Sequence, residues 1–406
     1  MSSRGFRKAK RKLKKNIKLF FIFSLLVLIG SGIGYMYFNR DSLFTSSSSI
    51  PIKKEEKKKE EKKEPKDYTA SLFMVGDALI HSTIYEDARQ ADGTYNFKPQ
   101  LEAIKPISSK YDLAYYNQET ILGGASLGYS NYPRFNSPTE VGDAFIDAGF
   151  NMVSLATNHT MDKNEQGVLN SVAYWKQFPT VATSGQWSSY DDRAQSIAKI
   201  YQANNIKYAF ISYTIWNNGL NTPYGKDYLN NEYSPEKAAA DIALVRDKVD
   251  FVIVAMHWGT EYSLRVDRKQ EEIANYLSGL GVDLIIGAHP HVVQTVEYIN
   301  NNKTFVIYSL GNFISDQRKI ENNTGLAFEV TLKKHVDVDG TITNSVVDPK
   351  AELIYTTSRY YKNFKVVPYP QLTNEQLSNY LTQYEYYKAI VSECYPNLVW
   401  GLTWEW

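Results

Sequence analysis

The sequence predicts an α/β fold with sheet covered on both faces, and three observations carry that reading. Short runs that are apolar throughout alternate with stretches of helical spacing. Each run ends in polar, chemically capable residues, at the place where α/β sheets gather their ligands. The 406 residues are 43% apolar and 14% aromatic, ample for a packed core.

The first 67 residues read as attachments to that core. Residues 1–18 form a basic tail, with nine Lys and Arg and no acid between Arg4 and Lys18. Residues 19–38, LFFIFSLLVLIGSGIGYMYF, are twenty in number without a charge. As a helix that length crosses a hydrocarbon core of roughly 30 Å. The basic block before it predicts a single-pass anchor in the cell membrane, N-terminus cytoplasmic and the C-terminal domain extracellular. A cleaved signal peptide is the competing reading; the stretch is long for one and lacks a clean A-x-A site. Residues 39–67, with Ser46–Ser49 and KKEEKKKEEKKEPK, cannot bury apolar surface and read as a charged linker.

The core domain is expected over 68–318, with 319–406 as an extension that completes it or packs on it. Its strand-like runs are SLFMVGD (71–77), DLAYYNQE (112–119), NMVSLATNH (151–159), FVIVAMHWG (251–259), DLIIGAHPH (283–291) and TFVIYSLGN (304–312). Helical patterns fall at Val141–Ala148, Pro235–Val249 and Arg268–Leu280, where Ile273, Leu277 and Leu280 share a face. NYLTQYEYYKAI (379–390) reads as a further helix and WGLTWEW as a packing strap.

Composition excludes several functions. Apart from the basic tail the chain is close to neutral, which argues against nucleic acid as a partner. The single cysteine, Cys394, permits neither an intrachain disulfide nor a cysteine zinc cage. GSGIG lies inside the apolar stretch with no strand before it, and no GxSxG is present for a serine nucleophile.

Five of the six histidines, His81, His159, His257, His289 and His291, lie at or just past strand ends. One such histidine is ordinarily structural, but five together are not. With Asp77, Glu119 and Asn158 they form a nitrogen and oxygen set large enough for two divalent ions, of which Mn, Fe and Zn all accept such ligands. His335 sits instead in a hairpin with a DG turn, where a structural role is expected.

VGDALIH, NQE, NHTMD, MHWGTEY, GAHPHVVQ and YSLGNF, in that order over about residues 70–318, resemble the CapA or PgsA family of poly-γ-glutamate capsule biosynthesis proteins. Through it they resemble the calcineurin-like metallophosphoesterases. The resemblance implies a four-layer α/β/β/α sandwich with a two-metal centre at the strand ends. It implies Asp77, His81, Glu119, Asn158, His257, His289 and His291 as metal ligands, Glu119 bridging, and His159 as the catalytic histidine. This chain departs from the superfamily pattern in three places. Asp77 and His81 are four apart where D-x-H is usual, Asn117-Gln118-Glu119 replaces GD-x-x-D, and Ala288 is inserted in the GHxH element.

Two metal ions that share a hydroxide can direct it at a phosphoryl or carbonyl group, and a protonated His159 could protonate the leaving group. Asp162 either orients His159 or caps the helix that follows. Asn117, Asn136 in FNSP, Glu261 and Asn312 are expected to line the substrate cleft. Two functions follow. One is a membrane-anchored, extracytoplasmic metal-dependent hydrolase that acts on phosphoester or γ-glutamyl amide bonds of a cell-envelope or capsular polymer. The other is a non-catalytic subunit that holds an anionic polymer for membrane-bound synthase subunits.

Overall fold

A computed structural model describes residues 64–402. The expected basic tail, membrane anchor and nearly all of the linker lie outside the described residues; among the described residues no helix is long and apolar enough to cross a membrane.

The chain first lays down β1 (Lys66–Ala78), β2 (Leu113–Gln118), β3 (Met152–Ser154) and β4 (Ala182–Ser184), successive parallel neighbours in one sheet. A second sheet follows from β5 (Tyr201–Ala203), β6 (Ile206–Thr214), β7 (Phe251–His257), β8 (Leu284–Ala288), β9 (Val296–Ile299) and β10 (Thr304–Ile307). Its order is β5-β6-β7-β8-β10-β9, with β6, β7, β8 and β10 parallel. The chain then returns to the first sheet. There β11 (Asn312–Ile314) pairs with β1, and β12 (Thr324–Val336), β13 (Ile342–Arg359) and β14 (Lys362–Pro368) extend it antiparallel beyond β1. Finally β15 (Val399–Trp400) pairs with β13. Residues beyond 318 therefore supply three long strands of the sheet that contains β1.

Alternation along the strands explains the layering. Ala70, Leu72 and Met74 of β1 and Phe251, Ile253 and Ala255 of β7 meet in one core between the sheets. The intervening Phe73 and Val75 face outward onto Ile84, Val141, Phe145 and Trp175 of three covering helices. Val252, Val254 and Met256 face Ala238 and Ile242 of the helix Pro235–Ala243 and Ile273 and Leu277 of the helix Arg268–Gly279. Strands buried on both faces are why these runs carry no polar residue until they end. Helix, sheet, sheet, helix is the resulting order of layers.

Two glycines let backbones approach where the strands end. A Cβ on Gly76 would lie 1.8 Å from Gly311 O, and one on Gly287 would lie 1.9 Å from Tyr308 O. The Asp77 amide donates to Gly311 O at 3.0 Å across the first of these approaches.

Candidate metal centre

The polar residues that end β1, β2, β3, β7 and β8 converge. On β1 the pairing register shifts on either side of Asp77, an irregularity that re-aims a side chain. Asp77 Oδ1 accepts from Asn117 Nδ2 of β2 at 2.8 Å, and Asp77 Oδ2 lies 3.2 Å from His291 Nδ1. Asn117 Oδ1 in turn accepts from Ser154 Oγ at 2.6 Å. The turn after β3 is pinned by its threonines: Thr157 Oγ1 donates to Glu119 O at 2.9 Å, and the Thr160 hydroxyl donates to Leu155 O at 2.9 Å. That turn presents Asn158, whose Oδ1 is 2.9 Å from His257 Nε2.

The segment after β8 answers why two histidines follow an apolar run. His289 and His291 have φ of +96° and +58°, left-handed conformations that non-glycine residues adopt at a cost of order 1–3 kcal/mol. In that strained turn both rings face the centre. His289 Nδ1 is 3.1 Å from His257 Nε2, and His291 Nδ1 is 3.0 Å from Asn312 Oδ1.

Three atoms at the middle lack a hydrogen-bond partner although buried: both carboxylate oxygens of Glu119, and His289 Nε2. A carboxylate oxygen of Glu119 and one ring nitrogen each of His289 and His291 lie within 4.8 Å of one another. Buried acceptors without donors are costly, and a cation is what satisfies them. The residues present therefore fit a divalent ion.

The electrostatics agree. Burial raises the Glu119 carboxyl well above the ordinary range, with His291 opposing and Asp77 adding to the rise. Burial pushes the His257 ring well below its ordinary value and His289 down to about 3, each helped by neighbouring histidines, so both stay neutral and free to ligate. Burial also works against a charged His291, but Glu119 and Asp77 outweigh it and hold the ring at about 9.

His159 stands beside this group. Its Nδ1 is 2.7 Å from Asp162 Oδ2, which also accepts from the Phe135 amide at 2.6 Å. The helix Asn164–Trp175 has Lys163 at its cap position and no side-chain cap, so Asp162 does not cap it; its carboxylate contacts the His159 ring and the Phe135 amide instead. Phe135 packs edge-on against His159 at 4.7 Å.

Other expected residues are placed differently. His81 precedes the helix Ser82–Ala88, and its Nδ1 accepts from the Asp316 amide at 3.2 Å. It stacks edge-on against Phe135 at 5.4 Å, burial lowers it to about 4, and it does not join the Glu119, His289 and His291 group. Asn117 and Asn136 are buried with their amides in use, Asn117 as above and Asn136 bridging Gly123, Gly124 and Gly128. Asn312 donates to Asn322 O at 2.8 Å and braces His291. These three asparagines hold the walls and offer no free group to a substrate. Glu261 is exposed at the lip, close enough to act electrostatically on both His291 and Glu119. His335 pairs with Asp67 at 2.6 Å in the β12–β13 hairpin region. Sequence reasoning missed Ser154, which orders Asn117, and Trp216, whose ring lies 6.0 Å from His289. Ser154 ends a strand of only three residues, and Trp216 follows a strand with no histidine at its end.

Two facing sheets with histidine, carboxylate and asparagine side chains gathered at their strand ends define an α/β protein built around a candidate metal centre. Residues 71–317, more than half of the chain, match the family described as bacterial capsule synthesis protein PGA_cap, and the chain belongs to that family. It is 30% identical over 197 residues to the PGA biosynthesis protein CapA of Bacillus subtilis (strain 168), covering 47% of this chain and 49% of that protein. It is 25% identical over 260 residues to the capsule biosynthesis protein CapA of Bacillus anthracis, covering 61% and 60%. The matched stretch thus spans about half of the first relative's length. Among solved structures, a phosphatase from Mycoplasma pneumoniae aligns at 15% identity and TM-score 0.41, over 72% of this chain and 96% of that one. A 5'-nucleotidase precursor from Thermus thermophilus aligns at 13% identity and TM-score 0.42, over 79% and 59%. Likeness at that level assigns no chemistry to this chain.

Proposed function

We propose that this chain is a metal-dependent hydrolase that acts on a cell-envelope or capsular polymer outside the membrane, anchored by residues 19–38 and working alongside membrane-bound polymer synthase subunits. The observation that carries the reading is the trio of buried, unpartnered ligand atoms on Glu119 and His289 beside a paired His159 and Asp162. The names of the two capsule-biosynthesis relatives supply the polymer.

Asp77, Glu119, Asn158, His257, His289 and His291 would hold two divalent ions, of Mn, Fe or Zn type. Bound there, such ions supply a nucleophile at neutral pH and charge stabilisation for a phosphoryl or amide oxygen. The chain's own residues do the rest. Asp162 fixes the His159 ring through Nδ1, leaving Nε2 to carry a proton to the leaving group. Phe135 and the buried walls keep water from that proton.

The experiment is His159→Gln. Metal content and fold should remain, because Asn158 and not His159 contacts His257, while turnover of a phosphodiester or γ-glutamyl amide substrate falls roughly 10²- to 10⁴-fold. Unchanged turnover would remove His159 from the chemistry. A wild-type protein that binds metal yet cleaves neither substrate class would favour the second reading, a polymer-holding subunit, which the word biosynthesis in both relatives' names also suits.

A further inference from the structure

We propose that the tip of the β13–β14 hairpin, Arg359–Lys362, joins Arg318 in an anchoring site for an acidic polymer, where carboxylates of the chain are held away from the bond presented to the histidine centre. The inference deepens the reading proposed above and rests on its polymer; it assigns that polymer a second contact, outside the centre.

The strand register builds the tip. Arg359 pairs with Lys362, so Tyr360 and Tyr361 alone make the turn, and φ of +52° and +61° puts both in the left-handed region. A two-residue turn of that kind favours Asn-Gly, and bulky residues adopt it at a cost of order 1–3 kcal/mol each. Packing does not offset that cost at Tyr360, which is 86% exposed. What the turn displays instead is a pair of tyrosines flanked by two cations. Neither Arg359 nor Lys362 has an ion-pair partner among the described residues, and Arg359 reaches only the Tyr360 ring, its guanidinium carbon 5.9 Å from the ring centre. Arg318 adds a third cation, its guanidinium carbon 3.7 Å from the centre of the Tyr361 ring.

The tip stands at the same end of the sheet as the histidine centre. Thr356 Oγ1 donates to Phe313 O at 3.2 Å, and the residue before Phe313 is Asn312, which contacts His291. Arg359 is three residues beyond Thr356, about 10 Å along an extended strand. Asp87 of the helix Ser82–Ala88 braces the hairpin from one side, accepting from the Asn363 and Phe364 amides at 2.8 and 2.9 Å. On the other side Gln317, next to Arg318, accepts from Asn312 Nδ2 at 3.0 Å. The three cations hang on the same backbone that orders His291.

The chemistry of the tip selects the ligand. Guanidinium groups pair with carboxylates in planar two-point contacts, and cations spread over a hairpin tip suit charges spaced along a flexible chain better than one compact anion. A phosphate site draws on converging backbone amides, and those of Asn363 and Phe364 are already given to Asp87. The neighbouring acids are engaged elsewhere: Asp316 accepts from Thr83 at 2.8 Å and pairs with Arg318 at 3.3 Å, and Glu102 pairs with Lys365 at 3.1 Å. Arg318 still keeps 56% of its side chain in water. A γ-linked glutamate chain brings one carboxylate per unit, with methylenes between for the tyrosine rings to cover.

The test uses the full chain in mild detergent and a labelled γ-glutamate decamer, followed by fluorescence anisotropy at low ionic strength, in chelator and again with manganese. The decamer should bind under both conditions, and Arg359→Gln with Lys362→Gln should weaken it roughly tenfold or more. Tyr360→Asn with Tyr361→Gly should raise the melting temperature and yet weaken the decamer, because the relaxed turn no longer seats Arg318. Lys303→Gln, in the exposed β9–β10 turn at the opposite strand ends, should leave the affinity intact. Polyphosphate and phosphatidylglycerol vesicles serve as competitors. No decamer binding, affinity that survives either pair of changes, or tighter binding of either competitor would overturn the proposal. The two readings fail separately: a decamer held at the tip without turnover sinks the hydrolase, and turnover of a phosphodiester with no decamer bound sinks the anchoring site.

Discussion

Replacing Glu119 by leucine should reverse the order of stability between metal-free and metal-loaded protein. In the metal-free chain Glu119 is fully buried with both oxygens unpartnered, its nearest histidine nitrogens being His291 Nε2 at 3.6 Å and His257 Nε2 at 3.8 Å. A buried polar group left unsatisfied costs about 1–3 kcal/mol, and exchange for an apolar side chain of similar volume removes that cost. The comparison belongs above pH 9, where the His291 ring has given up the proton that Glu119 and Asp77 help it hold, so that the exchange removes no favourable charge interaction there. At roughly 2 °C per kcal/mol for a unit of this size, the variant should melt about 2–6 °C above wild type in chelator. With metal at a thousandfold excess over its Kd, wild type gains about 4 kcal/mol and overtakes a variant that gains little. Differential scanning calorimetry with and without chelator reads both halves. A variant that is less stable than wild type in chelator, or that gains as much from metal, refutes the reasoning.

Two further outcomes follow from the same geometry and from the sequence. The metal-free protein should lose stability as pH rises from about 6.5 to 9, because folded His291, held at about 9, still binds a proton that the unfolded ring has released, so stability present below pH 6.5 fades through pH 9. His291→Gln should flatten that slope in urea melts taken across the range, and an unchanged slope would count against the Asp77 and Glu119 contacts as its source. Protease added to intact cells should remove the described domain and leave a small N-terminal piece in the membrane, as the basic block before residue 19 predicts; a protected domain would defeat the anchor.

The strands that form the middle of each sheet were readable because burial on both faces leaves a continuous apolar run. β7 and β8 fall within FVIVAMHWG and DLIIGAHPH, and the helices beginning at Pro235 and Arg268 start at the expected residues. β12 to β14 were not readable in the same way. Beyond Phe328 of β12, buried residues alternate with half-buried ones as far as Leu332, Lys333 to Val336 are all half-buried, and such a strand looks polar until its partners are known. β6, IKYAFISYT, is buried from Tyr208 onward yet ends in no histidine, so a search for chemistry at strand ends passed over it. Within the centre, residue type and position pointed to the carboxylates and histidines. What Asn117, Asn136 and Asn312 do could not be read, since an amide's role is set by partners that only the fold brings to it, such as Ser154 for Asn117 and Asn322 O for Asn312.

The position of β12 beside β1 sets a timetable for making this protein. Nine pairs join β1 to β12, from Lys66↔Val336 to Met74↔Phe328, across more than 250 residues of intervening chain. A nascent chain that has emerged only as far as the end of the family match, residue 317, holds every histidine of the centre but leaves Lys66–Met74 of β1 without the β12 neighbour. An open edge of that length invites pairing with other chains. The supporting sheet therefore closes only once translation has passed residue 336. Fragments trimmed at the family boundary should accumulate as aggregates even though they contain every histidine and carboxylate of the candidate centre.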